Sequence, residues 1–192
     1  MKTDIVLAGV GGQGILSIAT ILGAAALNEN LYLKQAEVHG MSQRGGDVHS
    51  HLRLSSRPIA SDLISSAQAD LIVSLEPMEA LRYLPYLAKD GWVVTSTAPF
   101  INIPDYPEMS AIEAELAELP HVVAFDMEAM AKEVATARSS NMILLGAASP
   151  FIHLEPEKIE DAIRAVFSSK GENIIEKNIL AFRAGRDAAL QK

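Results

Sequence analysis

Residues 4–8 (DIVLA) run apolar straight into Gly9-Val10-Gly11-Gly12-Gln13-Gly14, and a helical pattern rich in Ala, Ile and Leu follows over residues 13–28. A short buried strand, a glycine turn and a helix in that order make the opening of a crossover unit. Such a unit demands further strands in the same sheet to receive the chain. No other feature narrows the fold as much. It predicts an α/β chain with a Rossmann-like, three-layer, mainly parallel sheet.

The remaining pattern agrees. Strands are predicted at residues 31–34, 48–54, 71–75, 92–97 and 122–125, the second of these (VHSHLRL) alternating as if one face were wet. Helices are predicted at residues 78–88, with Asp90-Gly91 as the stop, and at 110–119 after a Pro-rich loop at 101–107. The C-terminal third reads as helical: residues 127–138, 140–148, 156–167 and 172–190. No repeat or linker interrupts this order, and 192 residues suit one domain, 1–192.

Composition excludes several classes of function. A formal charge of −8 argues against a sequence-independent nucleic-acid binder, which needs Lys and Arg to meet phosphates. The absence of Cys excludes a disulfide framework, a thiolate nucleophile and any iron–sulfur cluster held by this chain's own thiolates. The longest apolar stretch, residues 15–27, carries Ser17 and Thr20 and is too short for a membrane span of ~20 residues. With no secretory signal before the first strand, the cytoplasm is the expected address.

The loop at residues 9–14 satisfies G-x-G-x-x-G between a strand and a helix. Glycines permit a tight turn and close backbone approach, and the helix start offers free N–H groups to an anion. Three readings stay open: tight packing or a subunit contact, an anion or non-nicotinamide cofactor contact, and a nicotinamide or flavin site. The last wants an acid about 20 residues on, and Glu37 follows Gly14 by 23. Gln13 and the additional glycine favour a polar contact made by the loop itself.

A second loop reads Glu37-Val38-His39-Gly40-Met41-Ser42-Gln43-Arg44-Gly45-Gly46. Arg44 supplies a planar, permanently charged donor array, and the two glycines after it let the backbone turn beneath. Following the second strand, this loop is predicted at the carboxyl edge of the sheet beside residues 9–14, where such sheets bind ligands. Gly9, Gly11, Gly12, Gln13, Gly14, Glu37, His39, Gln43, Arg44, Gly45 and Gly46 are therefore the candidate rim for a ligand or a partner.

The paired strings GVGGQG and EVHGMSQRGG, with the SLEP turn at residues 74–77 and residues 141–146, resemble the gamma-type domain of the 2-oxoacid:ferredoxin oxidoreductase family. The HGMSQRGG form is similar to the small subunit of the indolepyruvate branch. The resemblance covers nearly the whole chain. It implies a non-redox subunit of a thiamine-dependent complex that decarboxylates indolepyruvate or other aryl pyruvates to acyl-coenzyme A and reduces ferredoxin. Thiamine diphosphate, magnesium and iron–sulfur clusters are then expected in a larger partner subunit, and coenzyme A is the co-substrate. No catalytic residue, metal or cofactor is implied in this chain, and self-association of the isolated chain is an expected substitute for its partner. The alternatives are a free-standing dinucleotide oxidoreductase using residues 9–14 and Glu37, and a regulatory module binding a small anion at the same rim.

Other candidates weigh less. His49 and His51 share a strand face and suggest a metal site with His39, Asp47 or Glu37, against the plainer reading of polar or interface histidines. Glu76 at a strand end reads as a helix cap before it reads as a base. Asp62 reads similarly as a helix start. Gly14 is followed by Ile15-Leu16, which excludes a P-loop.

Overall fold

β1 spans Lys2–Val10, longer at both ends than its apolar centre, because every residue from Lys2 to Val10 finds a ladder partner on the adjoining strand. The computed structural model describes residues 1–39, 45–101 and 103–191, the side chain of His39 excepted. After β1 come α1 (Ile15–Asn28), β2 (Tyr32–His39), β3 (Asp47–Ser55) and β4 (Ala69–Ser74). Then follow α2 (Pro77–Arg82), β5 (Leu87–Ser96), α3 (Met109–Ala117), β6 (Val122–Phe125) and α4 (Met127–Val134). The chain closes with α5 (Ser140–Ala148), α6 (Pro156–Phe167) and α7 (Glu172–Leu190).

The six strands lie in the order β2-β3-β1-β4-β5-β6. β1, β4, β5 and β6 are parallel neighbours, whereas β3 pairs antiparallel with both β1 and β2. The sheet is therefore mainly parallel, with an antiparallel strand inserted where a doubly wound sheet would seat β2. Two antiparallel steps leave β2 running in the direction of β1, so both strands end at the same rim.

Alternation along β1 feeds two cores. Ile5 and Leu7 face α1, α5, α6 and α7, with Leu52, Leu54, Leu71 and Val73 in the same large cluster. Val6 and Ala8 face a smaller cluster with Ile64, Ala80 and Tyr83 on the other side. α5 and α7 pack backbone to backbone. A Cβ on Gly146 would lie 1.9 Å from the Phe182 carbonyl oxygen, and one on Gly185 would lie 2.0 Å from that of Ile143. Only glycine fits at either place. No helix of the described residues is long and apolar enough to cross a membrane.

Three expectations need correction. The helix predicted over residues 78–88 ends at Arg82, because Pro85 lacks an N–H and clashes with the preceding turn. A short 3-10 turn at Leu84–Tyr86 follows, and Asp90-Gly91 belong to β5. There the pairing jumps from Ala69↔Leu87 to Leu71↔Trp92, so the dipeptide marks an irregularity in a strand and no helix stop. Asp62 begins no helix. The polar face of β3 is not wet: His51 is buried and its Nδ1 accepts the Ile64 N–H at 2.9 Å. Arg53 forks onto buried Asp4, at 2.8 Å from Nε and 2.9 Å from Nη2. Partners on other elements made these polar residues tolerable inside.

Candidate functional site

The two glycine loops meet through their backbones. The Gly11 N–H donates to the Gly46 carbonyl at 2.8 Å, and the Gly45 N–H donates back to the Gly11 carbonyl at 3.2 Å. The contact extends the β1–β3 ladder one step past Val10↔Asp47, so the inserted antiparallel strand, and no crossover, brings the second loop here. Gln13 turns back on its own loop: its Oε1 accepts the Val10 N–H at 2.8 Å and its N–H reaches the Val10 carbonyl at 3.1 Å. The Gln13 side-chain amide keeps its donors free of other described residues and lines a cleft of about 40 Å³ with Ser96, Phe100, Glu128 and Ser140.

Gly14 sits at the N-cap of α1 with φ +79°, in the left-handed region. A Cβ there would meet Asn141 Nδ2 at 2.7 Å, and that same amide donates to the Gly14 carbonyl at 3.3 Å. The glycine is demanded by conformation and by the neighbour from α5. Asn141 thus supports the loop from the distant C-terminal third, a role its place in an apolar helix did not reveal. Gly12 and Gly45 also have positive φ, of +105° and +76°. Gly9 is required differently, since a Cβ would meet Ile15 Cγ1 at 2.8 Å.

Next to this junction lies a polar network that the sequence signalled only through its alternating histidines. The Tyr83 hydroxyl lies 2.9 Å from Asp47 Oδ2, to which it donates, and 2.7 Å from His49 Nδ1. The His49 and Tyr83 rings lie 4.8 Å apart, and His51 meets Tyr86 edge-on at 5.1 Å. Burial, and then the bond to Asp47, holds the Tyr83 phenol well above its ordinary range. Glu79, buried on α2, forks with Arg82 at 2.8 Å, yet burial outweighs the guanidinium and raises its carboxyl. His51 is pushed the other way, first by burial and then by the neighbouring His49 and Arg53 charges. Burial is the first cause in all three, raising the phenol and the carboxyl and lowering the imidazole. Through Asp47 and His49 the network fixes the start of β3 beneath the rim.

Glu76 is a helix cap, as its sequence position suggested first. Its Oε2 accepts the Glu79 N–H at 2.8 Å at the start of α2, and the Tyr106 hydroxyl donates to its other oxygen.

Not every candidate reaches the rim. Glu37 is exposed on edge strand β2, with β3 between it and β1, and its partner is Gln35 Nε2 at 3.3 Å. A ribose-binding acid belongs on the strand beside β1, so the dinucleotide reading loses its carboxylate. His39 ends β2, opposite Val48. Gln43 and Arg44 lie outside the described residues. Among those described, no three His, Cys, Asp or Glu side chains are grouped to hold a metal ion.

Comparison with known proteins fits this geometry. A protein family described as pyruvate ferredoxin/flavodoxin oxidoreductase matches residues 4–188. The chain is 37% identical to the indolepyruvate oxidoreductase subunit IorB of Thermococcus kodakarensis, over 97% of this chain and 95% of that protein. It is 34% identical to IorB of Methanothermobacter thermautotrophicus over the full length of both. The 2-oxoglutarate synthase subunit KorC of Methanocaldococcus jannaschii is 28% identical, over 98% of this chain and 95% of that one. Among solved structures, the keto/oxoacid ferredoxin oxidoreductase gamma subunit of Geobacter sulfurreducens superposes with a TM-score of 0.71 at 24% identity, over 99% of each chain. The 2-oxoglutarate:ferredoxin oxidoreductase of Magnetococcus marinus gives 0.78 at 22% identity, over 100% of this chain and 31% of that longer one.

Proposed function

Because the chain belongs to the pyruvate ferredoxin/flavodoxin oxidoreductase family, as a gamma-type subunit of a 2-oxoacid:ferredoxin oxidoreductase, we propose that it serves a cytoplasmic complex acting on indolepyruvate or other aryl pyruvates. The whole chain, 1–192, acts as one gamma-type domain. Higher identity to IorB than to KorC supports the aryl branch. The overall reaction releases carbon dioxide from the 2-oxoacid, passes two electrons to ferredoxin and leaves the acyl group on coenzyme A. Thiamine diphosphate with magnesium, and the iron–sulfur clusters, belong to a larger partner subunit and supply decarboxylation and electron transfer when bound. A chain without Cys has no thiolate for the clusters.

The observation that carries the role of this chain is the backbone junction of Gly11 with Gly45 and Gly46, which fuses both unusual loops into one rim. That rim, formed by Gly9, Gly11, Gly12, Gln13, Gly14, Gly45 and Gly46, faces substrate, coenzyme A or the partner, and the sequence motif assigns His39, Gln43 and Arg44 to the same role. Phe100, Ile101 and Ile103, all exposed beyond β5, supply apolar surface for the partner next to it. Co-expression with the large subunit of an indolepyruvate oxidoreductase tests the proposal. The complex is expected to reduce ferredoxin with indolepyruvate at a kcat/KM at least tenfold above that with pyruvate or 2-oxoglutarate. Failure to associate, or a preference for 2-oxoglutarate, overturns it. Arg44→Lys keeps the charge and loses the bidentate fork. If Arg44 grips a ligand anion, the apparent affinity for 2-oxoacid or coenzyme A falls about tenfold while assembly is unchanged.

A further inference from the structure

A second cavity, of about 310 Å³, lies between the first turns of α1, α5 and α7. Its volume is at the lower end of the roughly 300–1,000 Å³ range of small-molecule sites. Arg138 and Lys177 line it, and neither is paired with an acid or hydrogen-bonded by its side chain among the described residues. Not one of the chain's 24 carboxylate side chains is in the lining, although acids outnumber bases by eight. Glu172, in the first turn of α7, is turned instead to Arg164 at 3.3 Å. The independent observation is Asn178. Only 7% exposed and facing this cavity, its side-chain amide has no hydrogen-bond partner among the described residues. The amide opens into the cavity that Arg138 and Lys177 also line, so its hydrogen-bonding groups are held in place, with little side-chain freedom left to lose, for a polar ligand seated there.

We infer that this cavity binds a compact anion of the phosphate class, gripped by Arg138 and Lys177 and hydrogen-bonded by Asn178. Phosphate and diphosphate groups carry more negative charge than a single carboxylate and spread it over more acceptor oxygens, which suits two cations and an amide arranged around one cavity. The amino ends of α5 and α7 add partial positive charge of the same sign. Asn141, which also lines the cavity, donates to the Gly14 carbonyl, so the anion site adjoins the support of the glycine loop.

Calorimetric titration of the full chain with inorganic phosphate and with pyrophosphate, against acetate as control, tests this without any assay of turnover. Its outcome is therefore independent of the aryl-pyruvate proposal. One saturable site per chain is expected, tighter for pyrophosphate than for phosphate and absent for acetate. Arg138→Gln and Lys177→Gln are each expected to weaken it about tenfold, with the thermal midpoint of the unliganded variants unchanged. Competition by coenzyme A identifies the coenzyme's phosphates as the natural source, and indifference to coenzyme A identifies a free phosphate ester. No saturable binding at millimolar pyrophosphate, or binding that survives both substitutions, overturns the inference. So does binding to the free chain that vanishes in the assembled complex, which assigns the cations to the partner's carboxylates.

Discussion

Asp4 has one charged neighbour on each side: Arg53 forks onto its carboxylate and Lys2 Nζ lies 2.9 Å away. The carboxylate is almost wholly buried, so its removal strands a guanidinium in the sheet. Asp4→Ala is expected to cost about 3–5 kcal/mol, read by urea unfolding. His51 predicts a pH dependence. Its folded pKa lies below the unfolded value of 6.5, so near pH 6 the unfolded chain binds more protons. The stability it contributes is present above pH 6.5 and drains away as the pH falls toward its lower folded value. His51→Asn keeps an acceptor for the Ile64 N–H and removes the titration, so its unfolding free energy should fall less between pH 7 and pH 5 than that of the parent. Gly14→Ala places a Cβ at φ +79° and against Asn141. The expected cost is about 1–2 kcal/mol, and a loss no larger than that of an exposed helical Ala→Gly change would contradict the tight contact.

At the scale of elements, the α5–α7 contact is the most sensitive. Gly146 and Gly185 each leave room for a carbonyl of the opposite helix, and a methyl group at either must push two backbones apart. Gly185→Ala is expected to cost about 3 kcal/mol, which lowers the melting temperature by roughly 6–12 °C in a chain of this length. A shift under about 2 °C in differential scanning calorimetry would show that the helices separate freely. The ends of α5, α6 and α7 were legible in the sequence because Pro156 and Gly171 punctuate long periodic runs. α2 was misread because its apolar spacing continues past Pro85, and local periodicity cannot outweigh a missing N–H. β2 was read too short because Glu37, Val38 and His39 look like loop residues until β3 pairs with them.

For the molecule as a whole, membership of a multi-subunit family sets the expectations. The purified chain should be colourless, with no stoichiometric iron and no 2-oxoacid-dependent electron transfer of its own, as absorption spectroscopy and iron analysis will read. Ile101, 68% exposed among other exposed apolar residues, marks the surface that the partner covers in our proposal. Ile101→Asp should leave the unfolding midpoint of the free chain within about 1 °C and weaken association with the large subunit about tenfold or more by sedimentation. Equal association of the two forms would remove that surface from the interface.

The sequence by itself determined the α/β class, the glycine turn between β1 and α1, the helical C-terminal third and the family, because these rest on local periodicity and short strings of residues. Convergence of the two loops at one rim was also legible, though for the wrong reason. A crossover was expected to bring them together, and an antiparallel strand inserted beside β1 does so. Only the tertiary structure decided that Glu37 stands apart from residues 9–14, that Asn141 supports Gly14, and that Asp47, His49 and Tyr83 form one network. Each of these depends on strand order or on contacts between residues far apart in the chain. The pattern of apolar residues records which side of an element is buried, but not which element covers it.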